Sequence, residues 1–177
     1  MGPFATATEF CEWTGMAIPP DLSRLQTLLS SASALIRGIT GQTLSKVTAD
    51  QITLEPTYGY WLFLPEAPVI AIDGIIVDAV PITTYTFTMA GKITRTDGKW
   101  MDNVTVTYTH GYEETSQEFL QIKMVCIEAA SRAYTLNERS ASEAMGSTLM
   151  ETAGYAPEVF LTQGEMQSLP GTLAAVG

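Results

Sequence analysis

Apolar positions along the chain fall into two long helical patterns separated by a run of short alternating segments. From Asp21 to Ile39, the residues Leu22, Leu25, Leu28, Leu29, Ala32, Leu35, Ile36 and Ile39 recur at spacings of three and four, which draws one stripe down a helix. From about Ser116 to Leu136 a second stripe runs through Phe119, Ile122, Cys126, Ala129, Ala130 and Ala133. Its small side chains let another helix approach closely, and the first long helix is the expected partner. Between them, Gln51 to Tyr108 reads as β structure. Gln51–Leu54, Tyr60–Leu64 and Val104–Tyr108 are rich in branched and aromatic residues. Val69–Ile72 and Ile75–Val77 flank Asp73-Gly74, which predicts a hairpin on a tight turn, and Tyr85–Met89 and Lys92–Arg95 flank Ala90-Gly91 in the same way. Pro65 and Pro68 mark an exposed edge or bend.

Three capping-box spacings punctuate the chain: Thr6 to Glu9, Thr115 to Glu118 and Thr162 to Glu165. The first opens a short helix through Phe10 and Trp13 that stops at Gly15. The last opens a short helix ended by Pro170-Gly171. Asp21, after two prolines, is placed to cap the first long helix, which Gly38 and Gly41 end. After Leu136 the apolar period fails, and Asn137 to Ala156 reads as an extended arm or loop.

These elements predict an α+β fold: a helical bundle of two long antiparallel helices plus short helices, with an inserted small antiparallel β subdomain and an extended C-terminal arm. The expected divisions are 1–49 for the N-terminal helical part, 50–110 for the β insertion, 111–139 for the second long helix and 140–177 for the arm. A chain of 177 residues can bury its own core.

Charged residues make up 16% of the chain, against about 25% in ordinary domains. With so little charge, much of the surface is expected to lie under partners. The net charge of −10 disfavours a salt-dependent grip on nucleic acid, since the nine basic residues form no stripe. No stretch reaches the ~20 apolar residues of a membrane span. Met1–Phe10 lacks a basic segment followed by an apolar one, so no secretory signal is expected and synthesis is assigned to the cytoplasm. Cys11 and Cys126 then read as buried, reduced thiols.

Candidate chemistry is sparse. His110 is the one histidine, without cysteine or carboxylate neighbours at zinc-ligand spacing and without a nucleophile-elbow motif. Its expected role is structural, hydrogen-bonding to backbone where the sheet hands over to the helix. Glu113-Glu114 reads as support for the following helix dipole rather than a metal pair. No phosphate-cradling loop is present. No enzyme activity, cofactor or metal is expected.

Several segments, in order, resemble the head-to-tail connector (adaptor) proteins of long-tailed bacteriophages, and most closely their actinobacterial phage versions. They are Pro20-Asp21-Leu22-Ser23-Arg24-Leu25, Ala32 to Arg37 with Thr40-Gly41-Gln42, Leu64 to Val69, Gly98-Lys99-Trp100, Val104 to Tyr112, and Ala129 to Tyr134. The likeness covers roughly Phe10 to Tyr134; Met101 stands where relatives often carry proline. It implies a virion protein of the neck that forms a closed ring, usually of twelve copies, below the portal protein. Such a ring extends the DNA channel, lets genomic DNA pass without specific binding, and offers a platform to the next neck protein (a stopper) or a tail terminator. An acidic surface suits a channel through which DNA slides.

Within that frame, Arg24, Arg37 and Arg132 are expected at the contact between subunits. Arg24 stands out because it opposes the dipole at the start of its helix. Phe160, Leu161, Met166, Leu169, Met145 and Leu149 are expected to meet the portal or a neighbour through the arm. Asp21, His110, Gly111 and Trp100 are expected to be structural. The competing readings are another neck or tail-completion protein, a β-rich receptor- or carbohydrate-binding module using Tyr58, Tyr60, Trp61 and Trp100, and a small hydrolase based on His110.

Overall fold

The computed structural model describes residues 1–17, 22–146 and 159–170, with side chains for all of these except 136–146. The elements in order are α1 (Ala7–Thr14), α2 (Leu22–Thr40), β1 (Val47–Leu54), β2 (Trp61–Phe63), β3 (Val69–Val77), β4 (Val80–Pro81), β5 (Tyr85–Phe87), β6 (Lys92–Arg95), β7 (Val104–His110), α3 (Gln117–Gly146) and α4 (Gln163–Ser168). The chain divides into two compact units, one of Met1–Gly41 with Leu120–Gly177, the other the inserted Gln42–Phe119. Mixed helix and antiparallel sheet make the fold α+β. Among the described residues no helix is long and apolar enough to cross a membrane.

In the helical unit, α1 starts where the sequence places it. The Thr6 hydroxyl accepts from the Glu9 amide, and the Glu9 carboxylate accepts from the Thr6 amide. Gly15, at φ +67°, ends the helix in the left-handed region. The stripe of α2 buries Leu25, Leu28, Leu29, Ala32 and Ile36, each such leucine or isoleucine contributing roughly 1.5–3 kcal/mol. On α3, Ile122, Val125, Cys126, Ala129, Ala130 and Ala133 are buried. The two stripes meet at Cys126, whose Sγ lies 3.3 Å from Ser33 Oγ of α2. Ser33 donates to the Leu29 carbonyl and accepts from the Phe4 amide, which ties the N-terminal segment onto α2. Cys11 and Cys126 are both buried and free, and burial raises the Cys126 thiol above its ordinary range.

Two expectations about α3 are corrected. Its N-terminus is held by Ser116, whose hydroxyl accepts from the Phe119 amide at 3.2 Å, so the register is one residue later than a Thr115 cap would give. The helix also continues past Leu136 to Gly146. Loss of an apolar period does not end a helix whose residues (Glu138, Arg139, Ala141, Glu143, Ala144) all have high or adequate helix propensity. Asp21 and Leu149 lie outside the described residues, and Met145 is described only as helical backbone.

The inserted unit holds two antiparallel sheets, ordered β1-β7-β3-β4 and β2-β6-β5. The central strand β7 alternates strictly, burying Val104, Val106, Tyr108 and His110 and half-exposing the threonines between. One core draws on both sheets: Leu62 and Ile93 from the smaller, Val69, Ile75 and Val77 with the β7 set from the larger, and Trp100 from a loop. The Asp73-Gly74 hairpin is overturned. Val69–Val77 is one strand, paired throughout with β7, and Asp73-Gly74 sits at a bulge where the register shifts. The turn comes later, at Asp78-Ala79, between the paired Val77 and Val80. Both turn residues have positive φ (+51° and +64°), the signature of a primed hairpin turn, whereas Gly74 does not.

Candidate functional site

The described residues hold no group of three or more histidines, cysteines or acids placed to bind a metal. His110 is buried, stacked on Tyr108 with ring centroids 4.8 Å apart, and its Nε2 lies 3.2 Å from Asp50 Oδ2. Its side-chain partner is thus a carboxylate on β1 and not the backbone group expected. The His110 residue is only 1% exposed. Next to it, burial, with the Asp50 and Glu66 charges, pushes the Tyr108 phenol up to about 12. Gly111, at φ +87°, lets the chain leave β7 in close contact with Ser45 and donate its amide to the Pro68 carbonyl. The His110–Gly111 pair is built into the fold.

The three arginines expected at subunit contacts all make contacts inside their own unit. Arg37 Nη2 donates to the Gly2 carbonyl at 2.8 Å, and its guanidinium lies 4.1 Å from the Phe4 ring centroid. Arg24 lies 5.3 Å from the Tyr134 ring centroid. Arg132 makes a two-pronged pair with Glu165 at 2.7 and 2.8 Å, donates to the Phe160 carbonyl, and covers the Phe160 ring. That contact pins residues 160–165 to α3. Leu161 and Leu169 are buried by this chain itself, Met166 is half-buried, and Phe160 is exposed.

Among the described residues, exposed apolar surface gathers in two places among others, and the sequence pattern singled out only part of it. In β2 and the segment just before it, Tyr58, Tyr60, Trp61 and Phe63 are 52–64% exposed within six residues of chain. Strand alternation explains two of them: Leu62 points into the core, so Trp61 and Phe63 face out. Lys92 Nζ sits 4.9 Å from the Trp61 centroid and Lys99 Nζ 5.6 Å from that of Tyr60. Trp100, by contrast, is wholly buried, which removes it from the aromatic set proposed for a carbohydrate module.

The second place is a groove of about 410 Å³ on the helical unit, where Trp13 of α1 faces Leu120, Met124 and Ile127 of α3. Trp13, Leu120 and Met124 are all exposed. The Glu9–Lys123 pair, at 2.5 Å, crosses one edge. Glu12 lines the same groove, while Glu128 lines a neighbouring pocket with Ser131 and Arg132. The α1 signal was legible as a helix, but its open face depends on α3, more than 100 residues away in sequence.

No family model matches the sequence, and no curated protein is similar enough to count as a relative. Solved structures do match. A chain in the virion of a native gene transfer agent particle is similar over 100% of this chain and 95% of its own length, with a TM-score of 0.58 at 14% identity. A chain in the neck of the native particle, computed with C12 symmetry, covers 85% of this chain and 84% of its own, with a TM-score of 0.51 at 18% identity. A chain in the neck of the empty particle, computed with C6 symmetry, covers 70% and 76%, also at 0.51 and 18%. This chain therefore shares its fold with chains of a gene transfer agent's neck and virion.

Proposed function

We propose that this protein is a structural component of the head-to-tail neck of a phage-like particle, an adaptor that forms a closed ring below the portal. The ring extends the DNA channel and carries the next neck or tail protein. The observation that carries the reading is the fold likeness to chains of a virion and its neck, which in one case runs the whole length of this chain. The C12 and C6 symmetries belong to those particles and support a ring of identical copies.

The molecule's own features agree. Large exposed aromatic and apolar surfaces suit a subunit whose neighbours cover them. A net charge of −10 suits a wall past which DNA slides. Of the arm residues assigned to portal or neighbour contact, Phe160 and Met166 have surface to offer, while Leu161 and Leu169 hold the segment to its own unit. Deleting the gene tests the role. Filled heads and detached tails should accumulate; intact tailed particles made without the protein would overturn the proposal.

A further inference from the structure

Trp13, Met16, Leu120 and Met124 stand 39–55% exposed along one side of the helical unit. The groove at Leu120 and Met124 shares Trp13 and Ile127 with the neighbouring pocket of about 530 Å³ at Met16, Ser131 and Thr135. The two recesses therefore form one channel between α1 and α3. Its α3 wall runs from Leu120 to Thr135, about 22 Å at 1.5 Å per residue. Contiguous apolar surface of this kind is ordinarily covered by something. The two cations along the channel are already engaged, Lys123 with Glu9 and Arg132 with Glu165. Glu12 and Glu128 add negative charge, which favours an occupant without carboxylate side chains.

This chain delivers such an occupant to the edge of the channel. Arg132, which lines it, holds Phe160 and Glu165. From Glu165, α4 runs to Ser168 and Leu169 is buried. Three helical steps and two extended ones put Pro170 within about 12 Å of Glu165. The seven residues that follow, Gly171-Thr172-Leu173-Ala174-Ala175-Val176-Gly177, carry no charged side chain and extend up to about 23 Å. Trp13 and Ile127 line the same pocket as Arg132, with Ile127 only about 8 Å from it along α3. The segment is long enough to enter the pocket and continue onto Trp13, and its apolar residues suit the lining.

We infer that Thr172–Val176 lies in the channel between α1 and α3 of its own copy, with Leu173 beside Met16 and Ser131 and Val176 against Trp13 and Ile127. Occupancy by the same copy makes the Trp13 face internal to the subunit and not a surface offered to a neighbour. The inference does not rest on the ring reading.

The test uses dilute full-length protein. A Met124→Cys, Val176→Cys double variant treated with a short bismaleimide should be joined within one chain. A Gln26→Cys, Val176→Cys control should not, since Gln26 is exposed on α2 and does not line the channel. In a Trp61→Phe background, Trp13 is the exposed tryptophan, because Trp100 is wholly buried. Adding Leu173→Asp with Val176→Asp should raise acrylamide quenching of Trp13 about twofold. No link at Met124, an equal yield at Gln26, or unchanged quenching would overturn the inference. A link formed only between copies would overturn the same-copy assignment. Each of these results leaves the neck role standing.

Discussion

Glu9 and Glu165 each do two things at once. Each closes a capping box, accepting from the amide and hydroxyl of its own N-cap threonine, and each pairs with a cation on α3, Lys123 or Arg132. Burial alone would raise these carboxyls, but the cation and the threonine bonds outweigh it and hold both below their ordinary value of 4.5. A depressed carboxyl stabilises the fold above its unfolded value, and that contribution is lost as pH falls through the folded one. Acid melts should therefore show a loss of stability below about pH 4.5 that is smaller in a Glu165→Gln variant. Glutamine can keep the capping box but not the charge, whereas Glu165→Ala loses both and should cost about 2 kcal/mol in a denaturant titration. Tyr108 works in the opposite direction. With its phenol raised from 10 to about 12, its contribution is complete below pH 10 and is lost as the pH climbs toward 12, a dependence that Tyr108→Phe should flatten. The capping boxes were legible in the sequence because they are local. Their α3 partners were not, since they lie 114 and 33 residues away.

At the scale of elements, alternation and helical period located most strands and helices, and the errors trace to backbone geometry. Asp-Gly is a turn signal because glycine readily takes positive φ. At Gly74 that freedom is unused: φ is not in the left-handed range and a Cβ would meet nothing within 4 Å. The strand simply continues, with a bulge. The true turn uses Asp78 and Ala79, and alanine at φ +64° carries a strain that no composition rule flags. Three variants separate these positions in thermal or urea melts. Gly74→Ala should be nearly neutral. Ala79→Gly should stabilise by about 1 kcal/mol. Gly111→Ala should cost more than about 3 kcal/mol, because its Cβ would stand 2.3 Å from the Ser45 carbonyl oxygen at φ +87°. A large loss at Gly74 would restore the hairpin reading. The extension of α3 to Gly146 went unread for a related reason: periodicity reports where a sequence is apolar, and a helix can continue after its apolar period ends.

For the whole molecule, the sequence pattern conveyed a β insertion between helical parts, and the contact pattern places the inserted unit at Gln42–Phe119. Low charge pointed to covered surface without saying which; in the fold Leu62 takes the inward position of β2 and leaves Trp61 and Phe63 exposed. Arg24 was singled out by its position on α2, and the partners of Arg24, Arg37 and Arg132 (Tyr134, Gly2 and Glu165) come from distant parts of the chain. The central claim is the neck ring. Mixing the purified protein with the portal protein from the same genome and averaging electron-microscope images of the complexes tests it most directly. The account predicts a collar of added density at one end of the portal, with the symmetry of a closed ring. A portal that stays bare in the mixture, together with particles whose necks lack this protein, would contradict it.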